Sequence, residues 1–356
     1  MRRIDPPPQS MRIAIDAMGG DFAPGAIVEG AVQAAAADGV ALLLVGQKDK
    51  IDRELARFAW NRQLIEVVHA SDVVSMDETA TAPLRKKRDS SLRVAAELVR
   101  EGRAQAMVTA GNTGAAMVVA KTIIGTVPGV DRPALAAVLP NAHGRTVLLD
   151  VGANIDTKTA QLREFAVMGH SYAQEALGIE RPRIGLLSIG EEASKGSDQT
   201  REVFKVLQGT GLRFMGNVEG RDIWNGAIDV VVCDGFVGNA VLKSAEAAAE
   251  LFGGMIREEI AKSWRTKLGY LLAKPAIARF RFRTDYAEVG AAPLLGLEGG
   301  CFIGHGRSSA KAIKNAVRRA TEFVSAGVHG KIRAKVAELH SQEAELLSLW
   351  ERRREP

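Results

Sequence analysis

The sequence predicts an α/β protein built on a mainly parallel sheet with helices on both faces. Two observations carry this. Short aliphatic or β-branched runs alternate with alanine-rich helical patterns along the chain, the β-then-α rhythm of a parallel sheet. Runs such as Val230-Val-Val-Cys233 are apolar at every position, as strands buried on both sides must be.

In order, a strand at 11–15 precedes a helix at 26–37, and a strand at 41–45 precedes a helix at 51–57. A strand at 106–110 leads into a helix at 114–123, and one at 146–151 into a helix at 157–177. The last two pairs are 183–189 with 202–208 and 230–233 with 239–256. No internal repeat and no interdomain linker interrupts them. The expected organisation is a flexible tail at 1–10, an α/β domain at 11–330 and an amphipathic C-terminal helix at 331–356.

Two segments break the rhythm. Residues 260–284 contain no acid, while Lys262, Arg265, Lys267, Lys274, Arg279, Arg281 and Arg283 interleave with Trp264, Leu268, Leu271, Leu272 and Phe280. Pro275 divides this stretch, which predicts a helical hairpin at about 257–285 split at the proline. From Lys331 onward, Ile332, Val336, Leu339, Leu346 and Trp350 recur at mixed helical spacing, suited to docking on the same domain or a sister subunit.

Composition sets outer bounds. With 46% hydrophobic and 25% charged residues, the chain is an ordinary globular one, long enough for a large core. Residues 1–10 lack the apolar centre of a signal peptide, and Cys233 and Cys301 form no Cys-x-x-Cys pair, so a reducing cytoplasm fits best and neither disulfides nor zinc are indicated. The charge-free stretch 104–120 is interrupted by Gly111-Asn-Thr-Gly114, which argues against a membrane span. A net charge of +5 favours anionic partners without choosing among nucleic acid, phosphorylated substrates, acidic proteins and lipid headgroups.

The chemistry is expected where strands end. Asp16-Ala-Met-Gly-Gly-Asp21, Thr109-Ala-Gly-Asn-Thr-Gly114, Asp150-Val-Gly-Ala-Asn154, Gly185-Leu-Leu-Ser-Ile-Gly-Glu-Glu-Ala-Ser-Lys-Gly196 and Cys233-Asp-Gly-Phe-Val-Gly-Asn239 each open an apolar run into a glycine-bearing polar loop. Ligands of parallel α/β sheets bind outside the carboxyl ends of strands, so the five loops are expected to converge on one small anion. A phosphate wants backbone N–H groups, the positive end of a helix and a cation. Gly111, Asn112, Thr113 and Gly114 suit the first two, although Thr113 also suits a plain helix cap, and Lys195 supplies the third. Cys233, inside an apolar run, reads as a small buried hydrophobe rather than a nucleophile.

Several chemistries lose support. There is no Gly-x-x-x-x-Gly-Lys-[Ser/Thr], no Gly-x-Gly-x-x-Gly after the first strand, no Gly-x-Ser-x-Gly and no His-Glu-x-x-His, and the six histidines show no ligand spacing. No metal and no cofactor is required. A metal- and NAD-dependent decarboxylating dehydrogenase remains open as a rival, as does a non-enzymatic nucleic-acid-binding protein drawing on 260–284 and Arg85-Lys-Lys-Arg88.

Taken in order, the five loops with Arg85-Lys-Lys-Arg-Asp-Ser-Ser91, Gly216-Asn-Val-Glu-Gly220, Pro293-Leu-Leu-Gly-Leu297 and His305-Gly306 closely resemble the bacterial phosphate acyltransferases of phospholipid synthesis. The resemblance runs from about 11 to 328. Ser188 departs from it where asparagine is expected, as do Ala291-Ala292 where the pattern has Gly-Ala. It implies a three-layer α/β/α sandwich similar to isocitrate and isopropylmalate dehydrogenases and to phosphotransacetylases. It also implies transfer of a long-chain acyl group from acyl carrier protein to inorganic phosphate, no nucleic acid, a homodimer and peripheral attachment of a cytoplasmic protein to an anionic membrane. A membrane glycerol-3-phosphate acyltransferase would consume the product.

For that reaction Lys195 is expected to hold the phosphate or the oxyanion and Asp234 to accept or orient a phosphate proton. Asn112, Thr113 and Asn154 are expected to hydrogen-bond at the same site, Asp16, Gly19, Gly20 and Asp21 to shape the first loop, and Asn217 and Asn239 to add polar contacts. Trp264, Leu268, Leu271, Leu272, Lys274, Arg279 and Arg281 are the expected membrane or carrier-protein contacts.

Overall fold

A computed structural model describes residues 11–284 and 286–352; the tail at 1–10 lies outside the described residues. The strands are β1 (Arg12–Asp16), β2 (Ala41–Gly46), β3 (Ile65–His69), β4 (Ala106–Thr109), β5 (Ala134–Pro140), β6 (Arg145–Leu149), β7 (Ile184–Leu187), β8 (Phe214–Val218), β9 (Val230–Val232), β10 (Ala292–Leu295) and β11 (Gly300–Ile303). The helices are α1 (Gly25–Asp38), α2 (Lys48–Leu55), α3 (Ala82–Arg85), α4 (Ser91–Arg100), α5 (Thr113–Val119, continued by a π-turn at Ala120–Ile124), α6 (Thr159–Leu177) and α7 (Asp198–Gln208). They are followed by α8 (Asp222–Asn225), α9 (Gly235–Ala261), α10 (Trp264–Thr284), α11 (Tyr286–Val289), α12 (Ala310–Ser325) and α13 (Val328–Arg352).

All the strands join one sheet in the order β3-β2-β1-β4-β11-β10-β5-β6-β9-β7-β8. Successive side chains of a strand point to opposite faces, and each face is covered, which explains the unbroken apolar runs. Ile13 and Ile15 enter one core with Leu42, Leu44, Val230 and Val232; Ala14 enters the other with Leu43, Val231 and Cys233. Phe165 of α6, Ile313 of α12 and Ile332, Val336 and Leu339 of α13 fill the first core. Leu92 of α4 and Ala115 of α5 fill the second. This is the expected three-layer sandwich. Helix α13 docks on its own domain through those three residues, while the side chains of Leu346 and Trp350 lie outside the described residues.

Strand direction was not legible. β10 is antiparallel to β11 and to β5, and β5 is antiparallel to β6, so β6, β9, β7 and β8 run opposite to β1–β4 and β11. The unexpected strands β5 and β10 cause the reversal. β5 turns straight back into β6 at 141–144, a hairpin where the rhythm predicts a crossover.

The hairpin differs too. Its turn is at Lys262-Ser263, where the Ser263 hydroxyl accepts from the Thr266 N–H at 3.2 Å, and Pro275 lies inside α10. A proline removes one bond, to the carbonyl four residues earlier. That carbonyl belongs to Leu271, whose residue is 63% exposed, so the freed carbonyl faces no burial penalty and the helix continues. Among the described residues no helix is long and apolar enough to cross a membrane.

Candidate active site

The reversal of strand direction divides the five loops into two groups, correcting the expectation of one convergent site. The first holds 16–21 and 109–114 with the loop after β11; the second holds 150–154, 188–196 and 233–239 with the end of β8. Helix α9 measures the gap: it begins at Asp234 in the second group, and Glu246 reaches His305 in the first, about 18 Å along the helix.

In the first group, Asp16 is buried at the end of β1 and accepts from Thr109 Oγ1 at 2.8 Å and from the Met18 N–H at 3.2 Å. Burial raises its pKa against these bonds and those from Ser91 and Gly19. A Cβ on Gly19 would sit 2.5 Å from the Asp16 carboxylate and 2.9 Å from the Gly111 nitrogen, so only glycine lets the loops meet. Gly20, at φ 105°, fits against the carbonyls of Gly306 and Ala110, and the Asp21 N–H donates to Gly306 O at 2.8 Å.

Asn112 does not offer the expected ligand contact. Its Oδ1 accepts from the Ala115 N–H at 2.9 Å, capping α5, and its Nδ2 donates to the carbonyls of Met76 at 2.9 Å and Glu78 at 3.0 Å. Thr113 and the Asp21 side chain remain exposed, and Gly114 packs by Ala80. Sequence reasoning missed the His305–Glu246 contact at 3.0 Å. Burial would raise Glu246, but His305 and Lys243 hold it down at about 2. A lone histidine with its partner 59 positions away on another element leaves no spacing signal.

The second group is assembled around Asp150, which is fully buried at the end of β6. Its carboxylate accepts from the N–H groups of Leu135 at 2.9 Å, Ala153 at 3.1 Å and Asn154 at 2.6 Å, and from Asn154 Nδ2 at 3.0 Å. Burial raises its pKa in spite of these bonds. Asn154 also donates to Pro133 O at 2.9 Å, so its amide nitrogen is committed to the loop.

Helix α9 starts on this platform. The Gly235 N–H donates to Asn154 O at 2.8 Å, Gly238 packs on the Asp150 carbonyl with no room for a side chain, and Asp234 Oδ1 caps the helix by accepting from the Val237 N–H at 2.8 Å. Asn239 is exposed beside Gly152. Cys233 is buried, and burial, reinforced by Asp234 and Asp150, pushes its thiol well above the ordinary range. It lacks the access and the thiolate that a nucleophile needs.

Lys195 stands exposed after β7, and among the described residues no carboxylate pairs with it. Asn217 positions its loop by donating from Nδ2 to Glu192 O at 2.9 Å. The Asn217 Oδ1 and the nearby Ser188 Oγ are buried without a hydrogen-bond partner. This group therefore combines the N-terminus of a long helix, an unpaired cation and the unspent Ser188 hydroxyl, the makings of an anion site.

Of the expected hairpin contacts, Trp264, Leu268, Leu271 and Leu272 are 70%, 52%, 63% and 81% exposed, and Lys274 and Arg279 are exposed beside them. The side chain of Arg281 lies outside the described residues.

The same mainly parallel α/β fold occurs in solved structures. It is similar to a phosphotransacetylase from Streptococcus pyogenes, with a TM-score of 0.60 at 18% identity over 89% of this chain and 95% of that one. It is also similar to a 4-hydroxythreonine-4-phosphate dehydrogenase from Klebsiella pneumoniae, with a TM-score of 0.52 at 15% identity over 88% and 98% of the two chains. At these identities the likeness concerns the fold alone. The family model described as "Fatty acid synthesis protein" matches residues 11–331. A phosphate acyltransferase of Geotalea uraniireducens is 49% identical over 95% of this chain and 99% of its own length, and one of Geobacter sulfurreducens is 50% identical over 92% and 94%. The chain belongs to this family of phosphate acyltransferases of fatty acid synthesis.

Proposed function

We propose that the chain moves a long-chain fatty acyl group from the thioester of acyl carrier protein to inorganic phosphate, releasing acyl phosphate for phosphatidic acid synthesis, and that the second loop group is where this happens. The observations that carry the assignment are the unpaired Lys195 and the capped N-terminus of α9, which follow the adjacent strands β7 and β9 and together favour a dianion. A phosphate oxygen attacks the thioester carbonyl, the C–O bond forms, the C–S bond breaks, and the carrier leaves as a thiolate that takes up a proton. Because phosphate is the nucleophile, the enzyme has only to concentrate it, orient it and stabilise the oxyanion. Lys195 serves the phosphate or the oxyanion; Asp234, with Oδ1 committed to the cap, orients a phosphate proton through its remaining oxygen. The test is release of free carrier thiol from palmitoyl-carrier protein with and without phosphate. Release that depends on phosphate and yields acyl phosphate supports the reading; release at the same rate without phosphate makes the chain a thioesterase and overturns it.

The exposed hairpin supports a second part of the proposal, a cytoplasmic homodimer that attaches to an anionic membrane and passes its product to a membrane glycerol-3-phosphate acyltransferase. Leu251, Phe252, Met255 and Ile256 of α9 stand exposed as well as the α10 residues, on a scale that marks an interaction surface. Lys267, Lys274 and Arg279 suit lipid headgroups or an acidic carrier protein, each worth about 1 kcal/mol near a charged surface. Leu271→Glu with Leu272→Glu should free the protein from anionic liposomes while turnover in solution persists. Unchanged co-sedimentation sinks the membrane role, and collapse of a dimer in that variant assigns these leucines to the subunit interface.

A further inference from the structure

Four large apolar side chains stand in solvent on the second loop group: Ile155 at 68%, Ile189 at 82%, Phe236 at 67% and Val237 at 38% exposed. A single exposed apolar residue needs no account, but these four sit on three loops at the carboxyl ends of the neighbouring strands β6, β7 and β9. The bond from the Gly235 N–H to Asn154 O at 2.8 Å brings the loop of Phe236 against that of Ile155. Pairing of Leu186 with Val232 brings the loop of Ile189 out at the same end of the sheet.

The same loops carry the anion machinery. Phe236 and Val237 follow Asp234 and Gly235 in the first turn of α9, Ile155 follows Asn154, and Ile189 precedes Lys195 on one loop. An enzyme that joins an acyl group to phosphate must hold an apolar chain within bonding reach of a dianion, and nowhere else in the second group do the two chemistries adjoin. A second copy of this chain is a poorer occupant, because covering the patch would desolvate the unpaired Lys195.

We propose that Ile155, Ile189, Phe236 and Val237 form the seat for the acyl chain of the thioester donor, so that the residues flanking the phosphate also set chain-length preference. This rests on the function proposed above. The experiment compares kcat/KM for palmitoyl- and butyryl-carrier protein in the wild type and in Ile155→Ser with Ile189→Ser, with Phe236→Ala as a second variant. The seat predicts that the palmitoyl-to-butyryl ratio falls at least about tenfold, since each buried methylene favours the long chain. An equal fall for both donors overturns it, and so does conversion of a dimer to monomers on size exclusion. A wild type that turns over neither donor brings down the proposed function instead. The seat is then read from cis-parinaric acid, whose binding should be lost in the double variant; equal binding overturns the seat.

Discussion

Both loop groups are written in the same residues, a strand ending in aspartate, a glycine turn and a helix start carrying asparagine or aspartate. They are used in opposite ways. In the first group the polar atoms satisfy one another: Thr109 donates to Asp16, both ends of the Asn112 amide are engaged, and the Asp21 N–H meets Gly306. In the second, Asp150 and Asn154 form a closed base, but Lys195, Asn217 Oδ1 and Ser188 Oγ above it remain unspent. A polar loop becomes a candidate site through what its neighbours leave unsatisfied rather than through its composition.

The sharpest way to break this comparison is to disturb the base of the second group. A Cβ on Gly238 would overlap the Asp150 carbonyl, a backbone atom that cannot turn aside, so Gly238→Ala should cost about 3 kcal/mol of stability and displace the start of α9. Urea denaturation and turnover should both show it; a normal midpoint with normal turnover would mean that α9 is not seated as described. Lys195→Ala should cut kcat/KM about a hundredfold, near 2.7 kcal/mol, with an unchanged circular dichroism spectrum. Because Lys195 is exposed and unpaired, its removal touches no packing, and near-normal turnover would take it out of the site.

The layers were legible because they follow from burial alone. An apolar run with both faces covered, then an amphipathic helix, is visible in residues such as Leu42–Val45 or Val230–Val232 without knowing their partners. The sign of each strand was not legible, because the short runs at Ala134–Pro140 and Ala292–Leu295 carry no mark of direction until they pair. That single ambiguity turned one expected site into two. Lys195 and Asp234 stood out from residue type and position, and their roles are the ones proposed above. The commitment of Asn112 and Asn154 was not, since their partners at Met76, Glu78 and Pro133 lie on loops with no motif of their own.

The first group should respond differently from the second. Asn112→Ala removes a helix cap and unties the 75–78 loop, which predicts a loss of about 1–2 kcal/mol seen as a lower melting temperature, with turnover per folded molecule little changed. A hundredfold loss of turnover with unaltered melting would return Asn112 to the ligand and dissolve the distinction between the groups.

The smallest effect is expected at Cys233, where the two readings of the second group differ most in chemistry. A cysteine nucleophile would need access and an available thiolate. Here the sulfur is buried at the end of β9, Sγ lies 3.5 Å from the Asp150 carbonyl, and burial with two nearby carboxylates holds the proton on. A serine at this position keeps a donor for that carbonyl in slightly less volume, so Cys233→Ser should cost on the order of 1 kcal/mol and leave turnover close to the parent value. Mass spectrometry during turnover should find no acyl group on the wild-type protein. A dead Cys233→Ser variant, together with an acyl-thioester trapped on the parent cysteine, would replace direct attack by phosphate with a two-step transfer through sulfur. It would also require the Asp150 platform to open during the reaction, because Gly238 of α9 packs so closely that a Cβ there would stand 3.0 Å from the Cys233 sulfur.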